Sequence, residues 1–513
     1  MRIYWILGML FLWLQSCGVS KDAATAGKKY SPAQLQKDYN IFETMLEQSH
    51  PGLYWYTPKD SMDYFFKWGN AQIKDSMNEQ EFKQVLNYVA AKINCGHTSI
   101  LSSRKSERAG TDSIRSRIFP LSLKLWSDTM VVVANLNRKD SLLKRGTVIK
   151  SINDKSFHEL VDTFSKFIPS DGFNLTHKLQ ALSNRSGFGT AYRNIYGLPK
   201  TFNIVFLNSA GEEKTTTIPV FVDTRDSTKK AIAEKQKRPA GRESKKEQRL
   251  AIRNLKIDSL NNVATMELNS FGRNYRLKKF FRRSFKLLGK QKVGNLIIDV
   301  RGNGGGSVSN STLLSRYISS TSFKIADSLY AIKRNSYYGR YIDDYFLNNL
   351  FMVMMTRKKK DGNYHFNYFE KHRFQPKTRY HYDRKVYILT GGNSFSATTL
   401  FAHVLKNQDN VTILGEETGG GAYGNTAWLI PEVKLPNTKI KFRLPLFRLV
   451  IDKDQPKNGR GVLPDIEVLP TVDAIRNSVD YKMAKALELI EQDKRKTVKI
   501  QQENTGKENN RKP

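Results

Sequence analysis

The chain is 513 residues long, 39% hydrophobic and 11% aromatic, enough apolar material for more than one core, which excludes a wholly disordered protein. Its 84 basic residues against 48 acidic leave a net charge of +36, but no zinc-knuckle spacing or basic helix–turn–helix pattern accompanies that charge, so nucleic acid is not expected as a partner. Only two cysteines are present, Cys17 and Cys95, so a disulfide framework is excluded.

Met1-Arg2 is followed by the apolar run "IYWILGMLFLWLQSC", which has the length of a signal peptide and is too short for a secure membrane span. The small Ser16 before Cys17 resembles the lipobox of bacterial lipoproteins. That resemblance implies a signal peptide over residues 1–17, acylation of the Cys17 thiol, and a lipid anchor at the bacterial cell envelope facing the periplasm or cell exterior. An ordinary signal peptide with an incidental cysteine is the alternative. Residues 18–30 are small and polar and read as a tether.

From residue 31 to about 110 the apolar spacing is helical (Leu35, Tyr39, Phe42, Met45, then Phe82, Val85, Leu86, Val89), interrupted by the Pro-Gly turn of "SHPGLYWY". Residues 111–224 change character. "MVVVANL" and "FNIVFLN" read as strands, and between them "LKRGTVIKSINDKSFHELVDTF" gives a glycine, an apolar strand, an Asn-Asp turn and a helix. This is the spacing of PDZ-like α+β modules, whose groove takes a peptide as an added strand; a generic α+β insertion is the alternative. Residues 225–255 begin as a basic, nearly apolar-free linker. Residues 256–475 alternate short, near-continuously apolar strands ("VATMELNSF", "VGNLIIDVRG", "KVYILT", "VTILG") with helical runs, the pattern of an α/β core whose strands are covered on both faces. Residues 476–513 read as a helix followed, past about Glu491, by a disordered basic tail.

Three segments carry chemistry. In "LIIDVRGNGGGSVSNSTLLSRYI" (Leu296–Ile318) a buried strand ends at Asp299-Val300-Arg301 and opens into Asn303-Gly304-Gly305-Gly306 before a helix. Such a glycine run turns backbone N–H groups inward. Without Gly-Lys-Ser/Thr it is not a phosphate loop, and the same device serves as an oxyanion hole. In "VYILTGGNSFSATTLFAHVLKNQ" (Val386–Gln408) a strand passes through a turn into a helix, with Ser394 and Ser396 near the helix start. A serine there is either an N-cap or, helped by the helix dipole, a nucleophile; Ser396 is the candidate nucleophile, with Ala397 leaving room for substrate. In "INCGHTSI" (Ile93–Ile100), His97 lies between glycine and threonine at the end of a helical region, off any core-facing spacing. It is either a structural histidine or the base for a nucleophile about 300 residues away. The eight histidines are scattered and form no His-x-x-x-His pair, so neither a metal nor another cofactor is expected.

Together "CGHT", the PDZ-like segment, "LIIDVRGNGGG", "GGNSFSATTLFA", "LGEETGGG" and "GRGVLPDIEV" resemble, from about Tyr30 to Thr471 and in the expected order, the C-terminal processing (tail-specific) serine peptidase family. The resemblance implies a multidomain α/β fold: a helical N-terminal domain, a PDZ-like α+β module and a crotonase/ClpP-like superhelix of ββα units with a serine nucleophile at a helix start. One branch of the family uses a Ser-Lys pair. Here the stretch Gly415–Gly421 carries glycine where that lysine would be, so the resemblance is to the tricorn-core-like Ser-His branch. It implies Ser396 as nucleophile, His97 as base and a late carboxylate as third member, Asp454 being the candidate and Asp452 and Glu417 its rivals. The amides of Gly305 and Ala397 would hold the oxyanion, with Gly304 and Gly306 against the substrate. In tricorn a serine precedes the histidine; here it is Gly96. The expectation is a membrane-anchored serine endopeptidase acting on polypeptides through an acyl-enzyme, in no specified oligomeric state. A non-catalytic lipid-anchored peptide binder of the same fold, an acyl-CoA enzyme of crotonase type and a Cys95 nucleophile are the alternatives.

Overall fold

The structure, a computed structural model, describes residues 28–103, 117–222 and 242–509. The lipobox-like Cys17 and most of the tether and basic linker lie outside the described residues.

Three helices open the chain: α1 (Pro32–Ser49), α2 (Lys59–Ala71) and α3 (Glu79–Lys92). Ser31 with Gln34 and Asn78 with Glu81 close capping boxes at the starts of α1 and α3, satisfying amides that have no partner inside the helix. Their apolar faces meet in one core around Tyr39, Phe42, Phe66, Phe82 and Leu86. After α3 the chain takes a left-handed step at Asn94 (φ 54°), a conformation asparagine tolerates better than most residues. It passes through Cys95-Gly96-His97 into the short strand β1 (Ile100–Leu101).

Strands β2 (Leu121–Trp126), β3 (Thr129–Asn135) and β4 (Val148–Ile152) precede helices α4 (Phe157–Ser165), α5 (Leu175–Ser183) and α6 (Gly187–Tyr196). Strands β5 (Thr201–Leu207) and β6 (Glu213–Pro219) complete an antiparallel sheet in the order β6-β5-β4-β3-β2. The Asn153-Asp154 turn, with both residues at positive φ, leads into α4 through the cap at Ser156.

The third region starts inside the basic segment. A helix over Arg242–Ile252 runs straight into β7 (Arg253–Asp258), followed by β8 (Val263–Leu268), helix α7 (Leu277–Lys290), β9 (Asn295–Asp299) and helix α8 (Val308–Ile318). Strand β10 (Ser328–Ala331) and helix α9 (Tyr345–Met355) come next, then β11 (Lys385–Thr390), helix α10 (Ala397–Leu405) and β12 (Val411–Gly415). The chain continues with β13 (Gly424–Ala427), β14 (Glu432–Lys434), β15 (Lys441–Arg443), β16 (Phe447–Val450), β17 (Ile466–Glu467) and the long helix α11 (Tyr481–Asn509). The main sheet has the order β7-β8-β9-β11-β12-β17 and is parallel from β8 onward. Alternate residues of β9 and β11 go to opposite cores: Leu296, Ile298, Val386 and Ile388 meet α7, α8 and α10, while Ile297, Tyr387 and Leu389 meet α11. This accounts for the unbroken apolar runs.

A second sheet sets β10 beside β16 and β16 beside β13; "GNTA" and "FRLV" are too short to read as strands in the sequence. A third joins the regions. β15 pairs with β14 on one side and with β1 on the other, Phe442 opposite Ile100, so the segment carrying His97 is stitched to the late hairpin. The tail expected to be disordered past Glu491 is helical to Asn509, in keeping with its wealth of Lys, Glu and Gln and with the Arg495–Glu491 pair one turn apart.

Candidate active site

The main parallel sheet ends at the serine. Strand β11 stops at Thr390, and Ser394 pins the following turn: its hydroxyl donates to Val300 O at 2.8 Å and accepts from the Gly391 amide at 3.2 Å. Ser394 is therefore a structural hydroxyl. Ser396 sits at φ 56°, ψ −120° immediately before α10, where strain costs on the order of 1–3 kcal/mol. The turn is held by its surroundings: Phe395 donates its amide to Asn303 O (3.1 Å) and Gly419 donates to Ser394 O (2.9 Å). A β-carbon on Gly305 (φ +101°) would come within 2.7 Å of Phe395 O and 2.8 Å of Ser396 Cβ, and one on Gly420 within 3.1 Å of Ser396 N. Both glycine-rich stretches thus close on the serine turn, and a side chain at either point would displace it.

The amides do not all point where the sequence suggested. Gly305 donates to Asn303 Oδ1 at 2.9 Å and so is already engaged. Gly306, next along the loop, lines a cavity with Ser396, and Ala397, the first residue of α10, has no acceptor within its helix. Gly304 is exposed and does not line that cavity. The cavity holds about 680 Å³ and is walled by Phe351, Phe366, Phe369, Leu400, Trp428 and Leu449. Asn425 also lines it, with a buried side-chain carbonyl that has no partner among the described residues.

His97 arrives from the other end of the chain. The left-handed step at Asn94 and the β1–β15 pairing place its ring 4.7 Å, centroid to centroid, from that of Phe395, next to the serine. The close approach accounts for Gly96, since a β-carbon there would lie 2.5 Å from Phe395 Cζ. His97 is buried, and among the described residues neither ring nitrogen has a hydrogen-bond partner, the Ser396 hydroxyl included. The carboxylate facing it is Asp171, with Oδ1 3.7 Å from His97 Nδ1. Asp171 is itself aimed by two backbone amides, Gly96 at 2.9 Å on Oδ1 and Gly421 at 3.3 Å on Oδ2. It lies in the "PSDGF" turn between α4 and α5. Its only sequence signal is turn composition, with nothing to connect it to a histidine 74 positions earlier.

The late carboxylates stand elsewhere. Asp454 is exposed in a turn, its amide bonded to Asp452 Oδ1. Asp452 Oδ2 lies 3.7 Å from His403. Glu417 is buried and engaged by Arg460 and by the amide of Gly461. None of the three is among the partners of His97, so spacing after the serine does not locate the carboxylate. Lysine does not replace histidine either: buried Lys482 is committed to Glu416 (2.5 Å) and Thr390 O (2.8 Å).

Cys95 completes the cluster, with its sulfur 2.6 Å from Thr426 Oγ1. Burial would push its thiol up, but neighbouring His50 and His97 bring it down to about 5. Burial would likewise pull His97 down, but Asp171 and the Cys95 sulfur lift it to about 9. His177, also unremarked in the sequence, stacks on the same Phe395: its ring lies 5.1 Å away, and its Nδ1 is 2.9 Å from Gly392 O. Burial lowers its pKa, so it is a neutral bracket for the turn.

Residues 262–468 match the model of peptidase family S41. Among solved structures, mature CPAF superposes with a TM-score of 0.60 at 14% identity, covering 89% of this chain and 96% of that one. CPAF complexed with lactacystin gives 0.61 at 14% identity over 91% and 98%. A serine-to-alanine mutant of CPAF gives 0.62 at 13% identity over 90% and 98%. These likenesses show a shared fold spanning nearly the whole of both chains. No curated protein matches the sequence. Residues 262–468 thus carry the likeness to peptidase family S41, within a fold that the chain shares with CPAF over nearly its whole length.

Proposed function

We propose that this protein is an endopeptidase that cleaves polypeptides through an acyl-enzyme on Ser396, with His97 as general base and Asp171 positioning it. The observation that carries the reading is the strained serine turn, opening on an apolar cavity and flanked by a buried histidine whose nitrogens are both uncommitted. His97 takes the Ser396 proton as the oxygen attacks the peptide carbonyl. The amides of Gly306 and Ala397 receive the oxyanion, the Gly306 amide standing in for the engaged Gly305. His97 then returns the proton to the leaving amine, and water resolves the ester in the reverse sense. The loss of one oxyanion donor costs roughly 3 kcal/mol of transition-state stabilisation. The hydrogen bond from Ser396 to His97 forms when substrate closes the site, as is common for catalytic pairs that are slack without ligand.

The cavity wall of Phe, Trp and Leu side chains favours a substrate with a large apolar residue beside the scissile bond, and the free carbonyl of Asn425 would accept one backbone N–H of the peptide. The antiparallel sheet with α4 and α5 supports reading residues 111–224 as a PDZ-like module that presents peptides, and the ββα repetition around the main sheet supports a crotonase-like core. Acylation of Cys17 would hold the enzyme at the cell envelope. A fluorophosphonate probe tests the nucleophile: it should label the wild-type protein at Ser396 and leave Ser396→Ala unlabelled. Absence of labelling in a folded, peptide-binding wild type would favour the non-catalytic binder.

A further inference from the structure

The sequence offers no metal-ligand spacing, yet folding brings the Cys95 sulfur, a His97 nitrogen and an Asp171 carboxylate oxygen within 4.8 Å of one another. We propose that these three residues form a binding site for Zn²⁺ or a similar borderline-soft divalent ion, and that its occupation switches the peptidase off.

The donor set fits such an ion. A thiolate, an imidazole and a carboxylate are the ligand types zinc takes, and three protein ligands leave a fourth tetrahedral position for water. A shift of about 1 Å in the side chains would close the triangle around an ion with ligand bonds of about 2.0–2.3 Å. His97 is 8% exposed and neither ring nitrogen has a hydrogen-bond partner among the described residues, so the ion has only to displace a ring proton, and no hydrogen bond, to gain a lone pair. Each oxygen of Asp171 accepts a single backbone amide and keeps a lone pair free. The Thr426 hydroxyl, 2.6 Å from the sulfur, can donate to the thiolate and orient it, and thiolate with carboxylate balances the double charge of the ion. His50 stays outside the set: its Nε2 is bonded to Thr98 Oγ1 and its Nδ1 accepts the Gly52 amide.

The consequence for activity rests on His97 being the general base. An imidazole bound to a metal through one nitrogen carries its proton on the other and cannot accept the serine proton. Metal binding and catalysis therefore compete for one side chain. Cys95 lies outside the cavity that holds Ser396 and has no step in the proposed reaction.

The two parts are separable with the full chain. Co²⁺ is titrated into the Ser396→Ala protein, which cannot turn over but keeps all three donors. We expect one equivalent to bind with a thiolate-to-cobalt charge-transfer band, and the band to vanish in Cys95→Ala/Ser396→Ala and in Cys95→Ser/Ser396→Ala. The sequence has only one other cysteine, so this loss assigns the sulfur to Cys95. In the active enzyme Zn²⁺ should inhibit, a chelator should restore activity, and Cys95→Ala should need about tenfold or more Zn²⁺ for the same inhibition. A titration without the thiolate band, or Zn²⁺ inhibition unchanged in Cys95→Ala, overturns the site. A band in Ser396→Ala alongside a wild type that cleaves nothing would instead uphold the site and sink the peptidase reading.

Discussion

His97 sits under two opposed influences, and their balance makes a pH prediction. Burial disfavours its charge, while Asp171 and the Cys95 sulfur favour it strongly enough to raise its pKa to about 9. Because the folded pKa is raised above the usual value of about 6.5, the stabilisation from the charged ring is complete below about 6.5 and is lost as pH rises through about 9. A protonated ring cannot serve as base, so kcat/KM should climb with pH on a limb well above 6.5 and level off only on the alkaline side. Asp171→Asn should move that limb downward and lower kcat, whereas a purely structural role would leave the limb in place. Gly305→Ala should abolish activity, since at φ +101° its β-carbon strikes backbone at Phe395; a melt showing lost stability on the order of 1–3 kcal/mol would accompany it. Of these residues, Ser396 and His97 stand out in the sequence because each lies in a stretch whose composition is wrong for its neighbourhood: a hydroxyl in a glycine turn, a histidine off the helix face. Asp171 does not, because a Ser-Asp-Gly turn needs no function to explain it. Nor does the engaged state of the Gly305 amide, which depends on where Asn303 turns its side chain.

At the scale of elements, the β1–β15 pairing carries the histidine to the serine. Phe442 in β15 is fully buried and meets Phe42 of α1 edge-on at 5.1 Å. Phe442→Ala should cost about 3–5 kcal/mol in chemical denaturation and lower activity even where the protein remains folded, because the strand that seats His97 loosens with it. Lys482 makes the opposite case. Removing it should destabilise the fold by up to about 3–5 kcal/mol, because Glu416 would keep only the longer contact with Lys124, at 3.9 Å. Lys482→Met with Glu416→Leu should recover part of that loss, Lys124 then keeping only Gln180, and retain kcat, whereas a Ser-Lys enzyme would lose turnover in both variants. Strands β9, β11 and β12 are legible because two-sided burial demands unbroken apolar runs. The second sheet is not, since β13 and β16 are four residues each and owe their pairing to each other rather than to a pattern of their own. Helix α11 is hidden for a different reason: past Ile490 its only aliphatic residues are Val498 and Ile500, too few for an apolar periodicity to reveal it.

For the whole molecule, the site is divided among three stretches of chain: His97 follows the N-terminal helices, Asp171 belongs to the antiparallel-sheet region, and Ser396 heads a helix of the main α/β core. Asp171 joins all three, accepting from Gly96 on one side and Gly421 on the other. Activity should therefore disappear with the first unfolding transition in urea, whichever region melts. The order and type of the regions are legible in the sequence; their meeting point is not, because no local pattern encodes a contact between residues 97 and 395. The proposed reaction depends on that meeting point. Its most direct test is kcat/KM of His97→Ala against wild type on a peptide with a large apolar residue at the cleavage position, with thermal melts confirming that both are folded. A fall of about 10³-fold or more is predicted. Activity within about tenfold of wild type would show that another group deprotonates Ser396 and would contradict the account.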